Sequence, residues 1–289
     1  PKDAYRTKGR AASEPSKTEG QNHPGGVVTQ FYLKDWDKKD SIALTYMSMS
    51  GDTLANFSTY SSKKDKKLKV KNEGNTHVWD TRGKGAEKLE GMILWSANLE
   101  GAKAVPGSYK VHLNRNGTSI SETFTILPDP RAEVTVADMQ MQYDFVSDVN
   151  ATVDKAHQSI KKIRKITSQL DAFKKQYKGN SATADLVEKA KEMKKGFEEI
   201  EKALYQTKNR SGQDPLNFPI RLTNKLAHLN SLASIDDFPP TEQDIAVKNE
   251  LTTKINTQLR AFDAMVDKEI KEFNKAFNDL NLNYLFIEE

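Results

Sequence analysis

The chain contains no cysteine. Disulfides, thiolate metal sites and cysteine nucleophiles are therefore excluded, and the compartment is left open. Long apolar runs are also missing. None approaches the ~20 residues needed to cross a bilayer, so no membrane span is expected. Neither sign of charge prevails: 44 Lys and Arg against 40 Asp and Glu leave a formal net charge of +4. That gives no reason to expect a nucleic-acid partner, because such partners are held by basic residues gathered on one face. The opening "PKDAYRTKGR" has no initiator Met and no signal-peptide pattern, so the chain is expected to be a piece of something larger.

Patterns that carry chemistry are equally scarce. The histidines His23, His77, His112, His157 and His228 are scattered, with no i,i+4 pair on a helix and no Glu-x-x-His for a carboxylate-bridged metal centre. "TRGKGAEK" has two glycines but lacks the spacing and the closing Lys-Ser/Thr of a phosphate loop, and no G-x-S-x-G elbow occurs. A pair of carboxylates could serve a glycosidase, but sequence does not fix their separation. Asp236 and Asp237 read as helix termination and solvation, and Asp80 after Trp79 reads as a turn cap. No catalytic residue, metal ligand or cofactor site is assigned, and no enzyme is expected within this chain.

What is present is architecture. A chain of 289 residues can bury two cores, and 36% apolar with 29% charged residues suits long amphipathic helices with solvated outer faces. Residues 1–24 are polar, of mixed charge and without periodicity, as in a linker or extended lead-in. Residues 25–130 read as β. "VVTQFYL", "SIALTYMSM", "THVWD", "SYKVHL" and "TSISETFTIL" are rich in β-branched and aromatic residues, separated by Ser50-Gly51, Pro106-Gly107 and Asn116-Gly117. The Asn-Gly step is a strong hairpin signal. A small β-sandwich of immunoglobulin or fibronectin type is expected, with 81–99 as an irregular crossing between its sheets. "KKDKKLKVK", 63–71, reads as an exposed edge strand or hairpin arm guarded by lysines. Trp79, Trp95 and Tyr109 read as core or corner residues, with a carbohydrate-binding face as the alternative.

Residues 131–289 switch to the helical period. A helix is expected over 136–178, with Met141, Phe145, Val149, Val153, Ala156, Ile160, Ile163, Leu170, Phe173 and Tyr177 as its stripe and Thr135–Asp138 as its capping pair. A second follows over 182–208, then a shorter one to about 233. The last starts at Thr241–Asp244, with a stripe from Ile245 to Leu280. This predicts an antiparallel bundle of about four helices, two of them very long. Between the second and third helices, "SGQDPLNFPIRLTNKLAHLN" reads as a built corner. Asp214 is placed to cap a turn that starts at Pro215, Pro219 redirects the chain, and Asn217 and Asn224 satisfy backbone groups at the bend. Ile220, Leu222, Leu226, Leu229, Leu232 and Ala233 are expected to face the core.

Five segments in order, "HPGGVVTQFYLKD", "GNTHVWDTRG", "AVPGSYKVHLNRNG", "LPDPR" and "QDPLNFPIRLTNKLAHL" followed by "PPTEQD", carry a resemblance that covers nearly the whole chain from His23. The chain resembles the C-terminal region of bacterial sortilin-like β-propeller proteins of the Bacteroidetes type, often labelled BNR-repeat or glycosyl-hydrolase-like. The resemblance implies an N-terminal propeller, absent here, followed by an immunoglobulin-like domain and a helical bundle. It implies an exported parent protein, periplasmic, outer-membrane-associated or extracellular. It transfers no catalytic residue. It marks Trp79, Asp80, Pro106, Gly107, Tyr109, Asp214, Pro215, Asn217, Pro219, Asn224 and Leu226 as structural-motif positions. The function expected is a non-catalytic accessory module that packs on the propeller, oligomerises or docks an envelope protein. The alternative is a carbohydrate-binding part, with Trp79 and Trp95 as glycan contacts.

Overall fold

A computed structural model describes residues 3–6, 18 and 25–280. The chain combines β-sheets and long α-helices in two compact units. The first unit is Pro1–Gly85, Glu100–Ser147 and Ala233–Pro240; the second is Ala86–Leu99, Asp148–Leu232 and Thr241–Glu289. These units do not follow the expected boundaries at 24/25 and 130/131. The irregular stretch Ala86–Leu99, expected to cross between sheets, belongs instead to the helical unit. The start of the first long helix and the segment Ala233–Pro240 belong to the β unit.

In the first unit the strands are β1 (Asp3–Tyr5), β2 (Val27–Leu33), β3 (Ile42–Ser48), β4 (Thr53–Ser58), β5 (Glu73–Trp79), β6 (Gly107–Arg115) and β7 (Thr118–Leu127). They form a five-stranded sheet of order β1-β7-β6-β3-β4 and a two-stranded sheet β2-β5. β1 falls inside the expected lead-in. It pairs parallel with β7, Asp3 opposite Thr125. The rest of 1–24, including His23, lies outside the described residues except for Arg6 and Thr18.

Alternation along β3 buries Ile42, Leu44 and Tyr46 against Val27 and Leu33 of β2, Trp79 of β5 and Phe124 and Ile126 of β7, so both sheets contribute to one core. Tyr46 stacks on Trp79 with ring centroids 4.5 Å apart, and Phe124 meets both edge-on. Gly26 at φ +111° carries the entering chain past Trp79, whose carbonyl oxygen would lie 2.2 Å from any Cβ there. Asn116 and Gly117 both take positive φ in the β6–β7 hairpin, as a type I′ turn requires. The lysine run is not an edge strand. Residues Lys64–Lys66 form a 3-10 turn, Leu68 is buried in the core, and Lys66 places its ammonium 4.8 Å from the Phe57 ring centroid.

The helices are α1 (Val136–Gln176), α2 (Ala184–Leu204), α3 (Leu222–Ala233), α4 (Glu242–Met265) and α5 (Lys271–Asp279). A π turn, Val266–Ile270, joins the last two into one rod. Thr135 and Asp138 exchange hydrogen bonds at the start of α1, and Thr241 and Asp244 close a full capping box on α4.

Contacts within the second unit fix the helix directions. Lys248 reaches Asp148 at 3.0 Å, and Phe273 meets Phe173 at 5.0 Å. The α4–α5 rod therefore runs parallel to α1. α2 opposes both: Glu201 pairs with Arg164, Lys194 with Asp171, Lys189 with Glu272 and Phe197 with Phe262. α3 continues in the direction of α2, from Thr223 at the Leu204 carbonyl to Asn230 at Asn150. The helices thus make three antiparallel legs, the middle one broken in two by the corner. The expected stripes hold through their centres, where Val149, Val153, Ala156, Ile160, Ile163, Phe197, Ile255 and Phe262 are buried. They fail at the ends. Met141, Leu232, Ile245 and Leu280 are exposed, and the buried face of α1 begins with Met139 and Gln142 instead.

Candidate functional site

The corner and the strap Ala86–Leu99 concentrate most of the polar contacts that the motif residues make. Asp214 opens a 3-10 turn, Asp214–Leu216, with Pro215 in its first turn. Its carboxylate looks backward rather than into the turn, accepting from Arg210 N, Ser211 N at 2.9 Å and Ser211 Oγ at 3.0 Å. These bonds hold its pKa below the ordinary carboxylate range. Asn217 contributes only its main-chain N–H, to Asp214 O at 2.9 Å, and its side chain is exposed. Pro219 is exposed and offers its carbonyl to Gln206 Nε2 at 2.9 Å. Leu226 is fully buried.

Asn224 does not act at the bend. Its Oδ1 accepts from Trp95 N at 2.7 Å and its Nδ2 donates to Trp95 O at 2.9 Å, so one amide clasps both main-chain groups of a strap residue. Neighbouring bonds continue the seam. Ile93 N donates to Tyr205 Oη at 2.9 Å, and His228 Nδ1 meets Ser96 O. At the other end of the strap, Glu87 N donates to Asp154 Oδ1 at 2.8 Å while His157 Nδ1 lies 2.6 Å from Glu87 O. His157 is fully buried, its Nε2 has no hydrogen-bond partner among the described residues, and burial depresses its pKa against the opposing pull of Glu87 and Asp154. An irregular segment with no ladder of its own is thus held by side chains from α1, α2 and α3.

Where the strap tip, α1, the end of α2 and the corner meet, an open cleft of about 520 Å³ is lined by Glu90, Arg164, Glu201, Tyr205, Asn209 and Arg210 among others. Arg164 Nε donates to Glu201 Oε1 at 2.8 Å, and its guanidinium lies 5.9 Å from the Tyr205 ring centroid. Lys202 answers Glu198 at 3.4 Å. Three cations and three carboxylates line the cleft, so it is polar and electrically balanced, and two of each sign are paired, Arg164 with Glu201 and Lys202 with Glu198.

In the first unit the motif residues serve the fold. Trp79 is fully buried and donates from Nε1 to Arg82 O at 2.9 Å. That position overturns the expectation of a glycan contact at Trp79, because no face of the ring reaches solvent. Trp95 is half-buried. Asp80 accepts from Arg82 N at 3.1 Å, the expected turn cap. Pro106 and Gly107 lead into β6, and Tyr109 Oη donates back to Val105 O at 2.6 Å.

A second constellation was not anticipated. Arg6, only 1% exposed, donates from Nη2 to Gln142 Oε1 at 2.8 Å and places Nη1 3.1 Å from Asp237 Oδ1. Gln142 Nε2 lies 2.8 Å from Ala233 O, 2.6 Å from Asp236 O and 3.1 Å from Phe238 O. Arg6 N continues the β1 pairing to Leu127 O at 2.9 Å. Asp237 therefore sits in a buried ion pair, not in the solvated helix stop expected of it. Burial lowers the Arg6 pKa and Asp237 opposes that shift. A cavity of about 10 Å³ beside Gln142 and Asp237 has room for one water. Arg6 carries no sequence signal, whereas Gln142 and His157 stand out as polar residues in the apolar phase of α1.

No group of three or more His, Asp or Glu suited to a metal occurs among the described residues, and none of their helices is long and apolar enough to cross a membrane. No family model and no curated protein matches the chain. A solved structure named pT26-6p is similar at 10% identity, with a TM-score of 0.19, over 84% of this chain and 42% of that one. A likeness that weak carries no argument about fold or function. The chain spans about two fifths of that protein's length.

Proposed function

We propose that the chain is a non-catalytic accessory module of an exported sortilin-like β-propeller protein. In this reading, an immunoglobulin- or fibronectin-like sandwich and an antiparallel helical bundle mediate packing on the propeller, oligomerisation or docking of an envelope partner. The strand order β1-β7-β6-β3-β4 with β2-β5 suits such a sandwich. So does the Tyr109–Val105 bond at the start of β6, the position of a tyrosine corner.

The observation that carries the reading is what the motif residues do with their polar groups. Trp79, Asp80, Tyr109, Asp214 and Asn224 each bond the chain's own main chain. Residues that build corners preserve a shape, and a preserved shape without a reacting constellation serves binding and assembly. The carbohydrate-binding alternative loses its first aromatic through the burial of Trp79.

The test is size-exclusion chromatography with light scattering on the chain alone and mixed with the propeller of its parent protein. Co-elution with the propeller is expected. A monodisperse monomer that ignores the propeller at high micromolar concentration overturns the assembly reading.

A further inference from the structure

Positive charge is gathered in one short run of the β unit. Residues 63–71, "KKDKKLKVK", hold six lysines against one aspartate, a net +5 that exceeds the +4 of the whole chain. Lys63, Lys64, Lys67, Lys69 and Lys71 are exposed, while Lys66 is half-buried over the Phe57 ring. None of the six makes an ion pair with a described residue, whereas Lys189, Lys191 and Lys254 of the helical unit pair with Glu272, Glu188 and Glu250. The remaining residues, 1–2, 7–17, 19–24 and 281–289, hold four basic and four acidic side chains, and so bring no excess of acid to offset the run.

The fold holds this run in place. Leu68 and Val70 pack on the core, Leu68 N donates to Ser58 O at 3.0 Å, and Lys71 exchanges main-chain bonds with the Asn75 side chain at 2.9 and 2.8 Å. With Leu68 and Val70 inward, extended backbone turns Lys67, Lys69 and Lys71 outward about 7 Å apart. That spacing lies inside the screening length of about 10 Å at 0.1 M salt, so the three charges act together on a partner. Beside the run the ring of Tyr60 is 59% exposed, with its hydroxyl donating to Lys39 O at 2.8 Å.

We propose that the 63–71 face docks the β unit on the surface of an anionic lipid bilayer. A clamp on a single phosphate or carboxylate uses the planar fork of arginine, and the run has none; lysine is a hydrated point charge suited to a broad negative field. A nucleic-acid strand is held by aromatic rings on which bases stack, and the run has no aromatic residue. The cavity and the cleft described above are lined by other residues, so the lysines do not enclose a small anion there. Clustered lysines with an exposed tyrosine beside them match the chemistry of a membrane interface, where the cations meet headgroup phosphates and the ring sits at headgroup level. The contact lies on the surface of the bilayer, and it holds whether or not the chain packs on a propeller.

The experiment is co-sedimentation of the whole chain with vesicles of equal parts phosphatidylcholine and phosphatidylglycerol, and with vesicles of phosphatidylcholine alone. Binding is expected to the anionic vesicles only, and to disappear as salt rises from about 0.1 M to about 1 M. The triple variant Lys67→Gln/Lys69→Gln/Lys71→Gln touches only exposed side chains, so its urea midpoint should stay with the parent's. Its partition should fall about fivefold for each lysine, or about a hundredfold in all. The control Lys189→Gln/Lys191→Gln/Lys254→Gln removes the same net charge from the helical unit and should bind as the parent does. Absence of binding to the anionic vesicles at 0.1 M overturns the proposal, including where heparin or single-stranded DNA retains the chain. Equal losses in the two triple variants overturn it as well, because they would assign the attraction to net charge and not to this face.

Discussion

Asn224 and Trp95 are joined by two hydrogen bonds between one side-chain amide and both main-chain groups of the strap residue, at 2.7 and 2.9 Å. The amide imitates the edge of a β-strand for a segment that has none. Removing it by Asn224→Ala leaves a main-chain N–H and C=O without partners, at an expected cost of about 2–3 kcal/mol. Hydrogen exchange should accelerate at Ile93–Asn98 before the rest of the helical unit. Asn224→Asp keeps the acceptor for Trp95 N and loses the donor to Trp95 O, so its effect should be intermediate. Unchanged exchange along the strap in Asn224→Ala would show that its other anchors suffice.

The buried ion pair of Arg6 and Asp237 makes a different expectation. Asp237→Ala strands a guanidinium that is 1% exposed, and a loss of about 3–5 kcal/mol is expected on urea unfolding. Arg6→Met strands Gln142 Oε1 and the Asp237 carboxylate. Because the two singles share one network, the double variant Arg6→Met/Asp237→Ala should cost less than their sum. Additive losses would mean that the 3.1 Å approach of Nη1 to Asp237 contributes little.

Sequence exposed most of this fold and almost none of this network, for physical reasons. Strands such as Val27–Leu33 and Thr118–Leu127 carry period-two or β-branched patterns bounded by turn residues, and both were legible to the residue. The long helices were legible because a stripe of three- and four-residue steps has no other reading. The strap was not, since its backbone is satisfied by side chains remote in sequence, up to 132 residues away for Ser96 and His228. Met141 was misplaced because a stripe's phase drifts at a helix end, where the partner surface changes. Arg6 lay in a polar segment with no period at all, and only folding reveals that its charge is enclosed.

His157 makes stability pH-dependent. Burial depresses its pKa below the ordinary 6.5, while the unfolded chain titrates near that value. As pH falls through about 6.5 the unfolded chain takes up a proton that the folded chain resists. Stability is therefore full above that pH and declines below it, until the folded imidazole also titrates. His77 is depressed by burial too and adds a slope of the same sign. The midpoint of urea unfolding should drop between pH 7.5 and pH 5.5. His157→Gln should flatten that dependence without abolishing it. A variant whose slope equals that of the parent would assign the whole effect elsewhere.

Tyr109 separates a corner from a core residue. Its ring stacks on Phe124 with centroids 5.9 Å apart, while its hydroxyl donates to Val105 O at 2.6 Å. Tyr109→Phe keeps the stacking and loses only the hydroxyl bond, so about 1 kcal/mol should go, largely by leaving the Val105 carbonyl short of a donor. Tyr109→Ala also opens the aromatic cluster and should cost about 3–5 kcal/mol. The ratio of the two losses, read from urea midpoints at one pH, measures how far this residue serves the bend into β6 and how far it fills the core. If Tyr109→Phe were neutral, the residue would be a packing group, and the tyrosine-corner argument for an immunoglobulin-like sandwich would rest on strand order alone.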